Sequence, residues 1–137
     1  MKRIFFILLI IFSCVAISCK KPAGPGGTSK ITGMIWIQDF NTLNNVADNY
    51  HLKGEYPGAD KDVFIIYGDD ISYGDKVRSG PDGKFEFPYL RSGNYKIYLQ
   101  SRDTTRTSVS TTMTVDTTVS ISGKKKTIDV GTLLIFK

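Results

Sequence analysis

Apolar and polar residues alternate along much of the chain beyond residue 30, the pattern of β-strands that bury one face. Residues 63–67 form a continuous apolar run instead, which is typical of a central strand buried on one face and partly covered on the other. No stretch of this part shows a sustained helical period. The apolar side chains that the alternation places on buried faces are Ile31, Ile35, Ile37, Phe85, Phe87, Tyr95, Ile97 and Leu99, with Gly33 on the same face as the three isoleucines.

The longest alternating run covers residues 109–121, where apolar side chains are confined to odd positions. Because most strands have about 3–10 residues, we expect a bend or break near residues 116–118. Residues 122–126 are predicted to form a turn. Residues 128–136 are predicted to form the last strand, with a bulge or a buried central position after Gly131.

Short strands separated by Gly, Pro and Asp at fairly regular spacing predict an all-β sandwich of about seven strands. Residues 39–62 do not follow this rhythm, because they are rich in Asn and Asp and lack strict alternation. Loops longer than about 12–15 residues in compact domains usually carry function or are disordered. We therefore predict a long loop at residues 39–62 and expect a binding site there first.

The first 18 residues have the features of a cleaved export signal, with two basic residues, an apolar run over residues 4–12, and small residues before Cys19. Even counted over residues 4–17, the apolar stretch is shorter than the roughly 18 residues expected of a transmembrane helix. The segment Ala-Ile-Ser-Cys that ends at Cys19 resembles the lipobox of bacterial lipoproteins, although Ala16 stands where that family more often has leucine.

The lipobox resemblance implies that a lipid is attached to the Cys19 thiol, that the chain is cleaved before Cys19, and that the new amino group is acylated. Several acyl chains anchor a protein far better than one, so Cys19 would hold the protein at a membrane surface. The alternative is an ordinary secretory signal in which the cysteine is incidental. With Cys14 in the removed signal and Cys19 acylated, no thiol remains for a disulfide.

These patterns divide the chain into a lipoprotein signal peptide (1–18), a lipidated cysteine with a flexible tether (19–29), and a folded domain (30–137). The tether prediction depends on the Pro, Gly and small residues of 20–29. The mature chain has 16 basic and 13 acidic residues, a net charge of +3, and its basic clusters lie beside the anchor and at 124–126. Little basic excess remains for a nucleic-acid-binding face.

Residues 79–97 have the sequence SGPDGKFEFPYLRSGNYKI. The arrangement D-G-K-F-x-F-x-x-L-x-x-G-x-Y-x-I within them resembles the signature of carboxypeptidase regulatory-like domains. The resemblance extends over roughly residues 31–136 and implies a single seven-stranded Ig-like or transthyretin-like β-sandwich. Members are mostly non-catalytic modules of exported proteins, so it implies no active site. It places Gly83 and Gly93 in turns and Phe85, Phe87, Leu90, Tyr95 and Ile97 in the core.

Residues suited to catalysis or metal binding are few. His51 is the single histidine, so a zinc site built from several histidines is excluded. No serine lies in the G-x-S-x-G context of a Ser-His-Asp hydrolase. The aspartates could supply oxygen ligands to Ca²⁺, but they form no EF-hand loop. We predict a non-catalytic protein with no cofactor and no metal site.

Aromatic side chains give the stronger prediction of a binding surface. If the isoleucines of residues 31–37 face the core, Trp36 faces outward, and Tyr98 does the same in its own strand. Exposed aromatic residues on a sheet can stack on sugar rings or pack against a partner protein. The alternative is that residues 39–61 fold over them. The candidate ligand or partner surface consists of Trp36, Tyr50, Tyr56 and Tyr98.

These features predict a lipid-anchored envelope protein with a structural or protein-interaction role, and the alternative is carbohydrate binding by the exposed aromatics and the 39–62 loop. Lys20 and Lys21 follow the cysteine where an aspartate would signal inner-membrane retention in some bacteria, and no acidic surface-export tag follows it. We therefore expect the outer membrane, facing the periplasm. The Ser- and Thr-rich strand at 108–122 is a further place where another chain could add a strand.

Overall fold

The computed structural model describes residues 22–42, 50–103 and 112–137 of the chain. Within these ranges all regular secondary structure is β-strand, and no helix there is long and apolar enough to cross a membrane. The all-β prediction is therefore confirmed. The strands are β1 (Pro25–Thr42), β2 (Tyr50–Pro57), β3 (Asp62–Tyr67), β4 (Asp75–Arg78), β5 (Lys84–Leu90), β6 (Gly93–Arg102), β7 (Thr112–Ile121) and β8 (Thr127–Phe136).

The strands form two sheets that pack face to face as a sandwich. In sheet A the long β1 pairs with β8 in parallel along one edge. Its other edge pairs antiparallel with β5 at its first half and with β2 at its second half. Sheet B has the strand order β4-β3-β6-β7 and is antiparallel throughout. β4 and β7 are thus the two edge strands of sheet B.

The core lies between the two sheets. The eight apolar side chains that the alternation placed on buried faces are all buried, so that prediction is confirmed. Gly33 belongs to the same face because a Cβ there would lie 2.5 Å from Cζ of Phe85 and 2.7 Å from Cγ2 of Val130. The remaining buried hydrophobic side chains are Val63, Ile65, Leu90, Ile121, Leu133 and Ile135.

The prediction of a long loop at residues 39–62 is wrong for its described part. β1 continues to Thr42 and pairs with β2, so the described part of the segment belongs largely to two antiparallel strands, and the described ranges contain eight strands rather than seven. The pairing shifts between Asp39 and Phe40 because β2 has one extra residue, Lys53, which interrupts the alternation in β2 and explains why the sequence pattern missed this strand. Residues 43–49 lie outside the described ranges.

The prediction of a flexible tether is wrong over residues 22–29, because β1 begins at Pro25. The glycines there permit close packing: a Cβ on Gly27 would lie 1.9 Å from the carbonyl oxygen of Leu90. Ser29 is buried and accepts a hydrogen bond of 3.0 Å from the backbone N–H of Lys126. The folded domain therefore includes residues assigned to the tether by composition.

The expected break near residues 116–118 is absent, because β7 pairs with β6 without interruption from Thr112 to Ile121. At 10 residues, β7 lies within the usual strand length and needs no break. The predicted bulge in β8 is confirmed: its register against β1 shifts next to Gly131, whose φ is +76°. Val109 lies outside the described ranges.

Candidate binding surface

The four aromatic residues predicted to form one surface do not lie together. Trp36 projects from the outer face of sheet A, whereas Tyr98 projects from the outer face of sheet B, on the opposite side of the sandwich. Tyr56 pairs with the buried Ile37 and therefore faces inward, where its hydroxyl donates to Asp39 Oδ2 at 3.2 Å. Tyr50 is the first residue of β2, and its side chain lies outside the described part.

The outer face of sheet B carries a row of aromatic rings. Phe64 and Tyr98 stack with ring centroids 5.0 Å apart and planes 15° apart. From the side of β4, Tyr73 meets the Phe64 ring at 5.1 Å and the ammonium of Lys76 lies 5.8 Å from its centroid. Both faces of Phe64 are therefore covered by its own neighbours. Such cross-strand pairs stabilise a sheet, and this row leaves no open Phe64 face for a ligand.

Ion pairs border these rings. Lys76 Nζ lies 3.1 Å from Asp62 Oδ2, and Lys96 Nζ lies 3.3 Å from Asp116 Oδ2. Hydrogen bonds from Lys76 and Arg78 lower the pKa of Asp62 below its ordinary value. A general acid needs the opposite shift. The outer face of sheet B thus carries paired opposite charges, as is usual for a sheet surface in contact with water.

The outer face of sheet A is apolar over several strands. The register places Leu134 of β8 on one side of Trp36 and Pro57 of β2 on the other, with Met34 two residues earlier on the same face. Trp36 is partly exposed, and Leu134 exposes 38% of its surface. Three strands thus contribute neighbouring apolar groups around one tryptophan.

The apolar surface continues toward the end of β1. The rings of Phe40 and Phe136 lie 5.8 Å apart, and Leu52, which is 50% exposed, pairs with Phe40 on the same face. Gln38 and Glu55 hydrogen-bond to each other between these groups. We call Met34, Trp36, Phe40, Leu52, Leu134 and Phe136 the sheet A patch.

Sequence reasoning found Trp36 but missed most of the sheet A patch. Phe40 and Leu52 fall in the segment that was predicted to be a loop, and Phe136 ends a predicted strand whose outward positions were not assigned. The signal was nevertheless present, because Trp36, Gln38 and Phe40 continue the outward positions of residues 31–37.

Several acidic side chains of the described residues form ion pairs rather than a metal site. In the part of the chain that is described, no group of three or more His, Cys, Asp or Glu residues is placed to hold an ion. Asp60 and Asp62 both pair with Arg78, at 3.3 Å and 3.2 Å. Asp82 pairs with Lys84 at 3.0 Å, and hydrogen bonds from Lys84 lower the pKa of Asp82. The side chain of His51 lies outside the described residues.

No protein-family model matches the chain, and no curated protein matches it. Among solved structures, the chain is similar to a candidate carbohydrate binding protein from Pseudomonas aeruginosa, with 15% sequence identity and a TM-score of 0.47. The similarity covers 84% of this chain and 92% of that chain. A likeness at this level says nothing about what the present chain binds. The resemblance to carboxypeptidase regulatory-like domains stays a prediction.

Proposed function

We propose that this chain is a non-catalytic, lipid-anchored protein of the bacterial envelope that binds a partner protein through the sheet A patch. The observation that carries the proposal is the apolar outer face of sheet A, centred on Trp36 and Leu134. A sheet face that is turned to solvent is normally polar, and contiguous apolar surface on such a face marks interaction sites. Anchoring through Cys19, at the periplasmic side of the outer membrane, is part of the same proposal.

The composition of the patch favours a protein partner. Protein interfaces have an apolar centre, enriched in aromatic residues and Met, with a polar rim. Trp36 has this central position, with Leu134 and Pro57 beside it. The paired side chains of Lys30 and Glu86, 2.8 Å apart on the same face, provide part of a polar rim. Tryptophan is also among the residues that contribute most binding energy at such centres.

Carbohydrate binding remains the alternative, and the geometry favours it less. A sugar site needs polar groups next to an open aromatic face. The cross-strand neighbours of Trp36 are apolar, and the nearest amide and carboxylate, Gln38 and Glu55, already bond to each other. On the other sheet, the two faces of Phe64 are covered.

We also propose that the sandwich is a carboxypeptidase regulatory-like domain, in a structural rather than catalytic role. The positive φ of Gly83, +77°, supports the turn position that the resemblance implies. A Cβ there would lie 2.5 Å from the carbonyl oxygen of Ile35, so only glycine fits. The five residues that the resemblance places in the core are buried.

Photo-crosslinking in living cells tests the partner proposal. A photo-reactive amino acid replaces Leu134 on sheet A or, as the control, Thr114 on the exposed outer face of sheet B. We expect an adduct from position 134 only, and we expect protease rather than glycosidase to degrade the attached partner. Trp36→Ala should abolish this adduct without changing the melting temperature by more than a few degrees.

Three results would contradict the proposal. Equal adducts from positions 134 and 114 would show that contact is not specific to sheet A. Absence of any adduct from position 134 in correctly located protein would remove the docking surface. An adduct that only glycosidase degrades would replace the protein partner by the carbohydrate alternative.

A further inference from the structure

The first described residues are bound to the domain rather than extending from it. Arg91 Nε donates to the carbonyl of Pro22 at 2.9 Å, and the backbone N–H of Arg91 donates to the carbonyl of Gly24 at 2.9 Å. Ala23 packs against the core, and the N–H of Gly24 donates to the hydroxyl of Tyr95 at 3.0 Å. The chain therefore enters the sandwich at a fixed point at one end.

Cationic side chains gather at the same end. The β5–β6 turn carries Arg91, and the β7–β8 turn carries Lys124, Lys125 and Lys126. The N–H of Lys125 donates to Thr28 Oγ1 at 3.0 Å, which fixes the lysine turn beside the start of β1. The three lysines are exposed and form no ion pair with any described residue. We call Arg91 and these lysines the basic end.

Only a short stretch of chain separates the predicted lipid anchor at Cys19 from Pro22, the first residue bound to the domain. Cys19 precedes Pro22 by three residues, and three residues of fully extended chain span at most about 10–11 Å. This span is an upper limit, so the anchor allows the basic end to come within the Debye length of about 8 Å at physiological ionic strength, where charges are only partly screened. Because the tether is shorter than composition predicted, the lipid anchor holds the basic end close enough to the lipid headgroups for electrostatic attraction.

We infer that the basic end is a docking surface for an anionic lipid membrane, so that the domain stands on the bilayer with this end facing the headgroups. This inference rests on the lipid anchor of the proposed function. Clusters of lysine and arginine next to a membrane attachment bind anionic lipids through their charge. The sheet A patch, on the side of the sandwich, then stays open to the partner protein.

Two aspartates and a tyrosine at this end of the domain favour one orientation of the domain on the bilayer. Asp69 and Asp70 follow β3, whose end lies beside the start of β6, and the strand β6 separates them from β7, which leads into the lysine turn. Repulsion between these two aspartates and anionic lipids should tilt their side of the domain away from the bilayer. Tyr89 is 72% exposed and shares a cleft with Lys125 and Lys126, and tyrosine is enriched at headgroup level in membrane proteins.

Single cysteine reporters can test this contact, because the mature chain has no thiol other than Cys19. The lipidated protein is placed on the outside of vesicles of phosphatidylcholine alone or with phosphatidylglycerol. Ser122→Cys reports on the basic end, and Ala59→Cys on the opposite end; both positions are exposed. We expect a membrane-impermeant maleimide to label residue 122 severalfold more slowly on phosphatidylglycerol vesicles, and residue 59 equally on both.

Matched charge reversals identify the groups responsible. Each lysine near an anionic surface strengthens adsorption by roughly fivefold. In the Ser122→Cys background, Lys124→Glu/Lys125→Glu/Lys126→Glu should therefore restore the labelling rate seen on phosphatidylcholine. The control variant Lys53→Glu/Lys84→Glu/Lys137→Glu makes the same charge change at exposed positions toward the opposite end and should leave labelling slow.

The outcomes separate this inference from the proposed function. Mass analysis of the N-terminal peptide reports lipidation of Cys19, and an unmodified Cys19 would overturn both. A lipidated protein whose residue 122 is labelled equally fast on the two kinds of vesicle would overturn the docking surface and leave the anchor intact. Equal effects of the two triple variants would also overturn it, since the contact would then not belong to the basic end.

Discussion

The hydroxyl of Tyr95 accepts a hydrogen bond of 3.0 Å from the backbone N–H of Gly24, a residue 71 positions earlier in the chain. The same hydroxyl donates to the carbonyl of Arg91 at 2.7 Å. Because Tyr95 is buried, one side chain joins the N-terminal segment, the β5–β6 turn and the core. This link is what turns a glycine-rich segment into part of the folded domain.

Tyr95→Phe should destabilise the domain by about 1–3 kcal/mol, because the Gly24 N–H and the Arg91 carbonyl lose a buried partner. Urea denaturation measures the difference. Tyr98→Phe is the control, since the Tyr98 ring stacks on Phe64 on the outer face of sheet B, away from this link. Equal effects of the two substitutions would show that the Tyr95 hydroxyl has no special role.

Removing residues 22–29 should destabilise the domain strongly. A chain that starts at Lys30 lacks the first strand residues of β1, and it leaves the backbone N–H groups of Arg91 and Lys126 without their acceptors, the Gly24 carbonyl and Ser29 Oγ. We expect a loss of at least about 2 kcal/mol relative to a chain that starts at Pro22, since each unsatisfied buried group costs about 1–3 kcal/mol. Equal thermal stability of the two chains would restore the tether interpretation.

Gly33→Ala should cost about 1–3 kcal/mol, because the added methyl overpacks the contact with Phe85 and Val130. Gly54→Ala is the matched control in the same sheet, where a Cβ meets nothing within 4 Å. It should be neutral or stabilise the domain by about 0.4–1 kcal/mol, because alanine restricts the unfolded chain. Chemical denaturation of both variants compares them, and a neutral Gly33→Ala would contradict the packing of β1 against β5 and β8.

Asp62→Asn should lower stability near neutral pH and have no effect in strong acid. Hydrogen bonds from Lys76 and Arg78 depress the pKa of Asp62 below 3.8, so folding favours its charged form. That contribution is complete above 3.8 and is lost as the pH falls through the folded-state pKa. Urea midpoints of wild type and variant should therefore converge on acidification.

Added salt and a substitution at a second aspartate serve as controls for the ion pairs of Asp62. Both Asp62 partners are exposed, so added salt should also shrink the difference. Asp69→Asn should behave like the wild type, because Asp69 forms no ion pair with any described residue. If the difference in stability between the wild type and Asp62→Asn grew toward low pH, the direction assigned to the pKa shift of Asp62 would be wrong.

Side-chain alternation predicted local structure well wherever strands are regular. Ile35 and Ile37 in β1, and Tyr95 and Ile97 in β6, are buried as expected. Alternation failed at β2, where the extra residue Lys53 interrupts the two-residue period and the polar composition suggested a loop. A bulge changes which side chains face the core without leaving a clear compositional signal.

Composition was a poorer guide than alternation at the N-terminus. Gly27 suggested flexibility, yet it is required because the backbone of Leu90 passes too close for a side chain. The same ambiguity applies to any glycine-rich segment, since glycine suits both a mobile linker and a close backbone approach. The contacts of a glycine decide between them, and they come from residues distant in the chain.

The sequence by itself determined the all-β class, the buried face of most strands and the turn at Gly83, because strand periodicity and turn chemistry are local properties. Only the tertiary structure decided that β8 runs parallel beside β1, that Trp36 and Tyr98 lie on opposite sheets, and that the lysine turn lies beside the N-terminal segment. These relationships depend on hydrogen bonds and packing between residues far apart in the chain, which local periodicity does not encode.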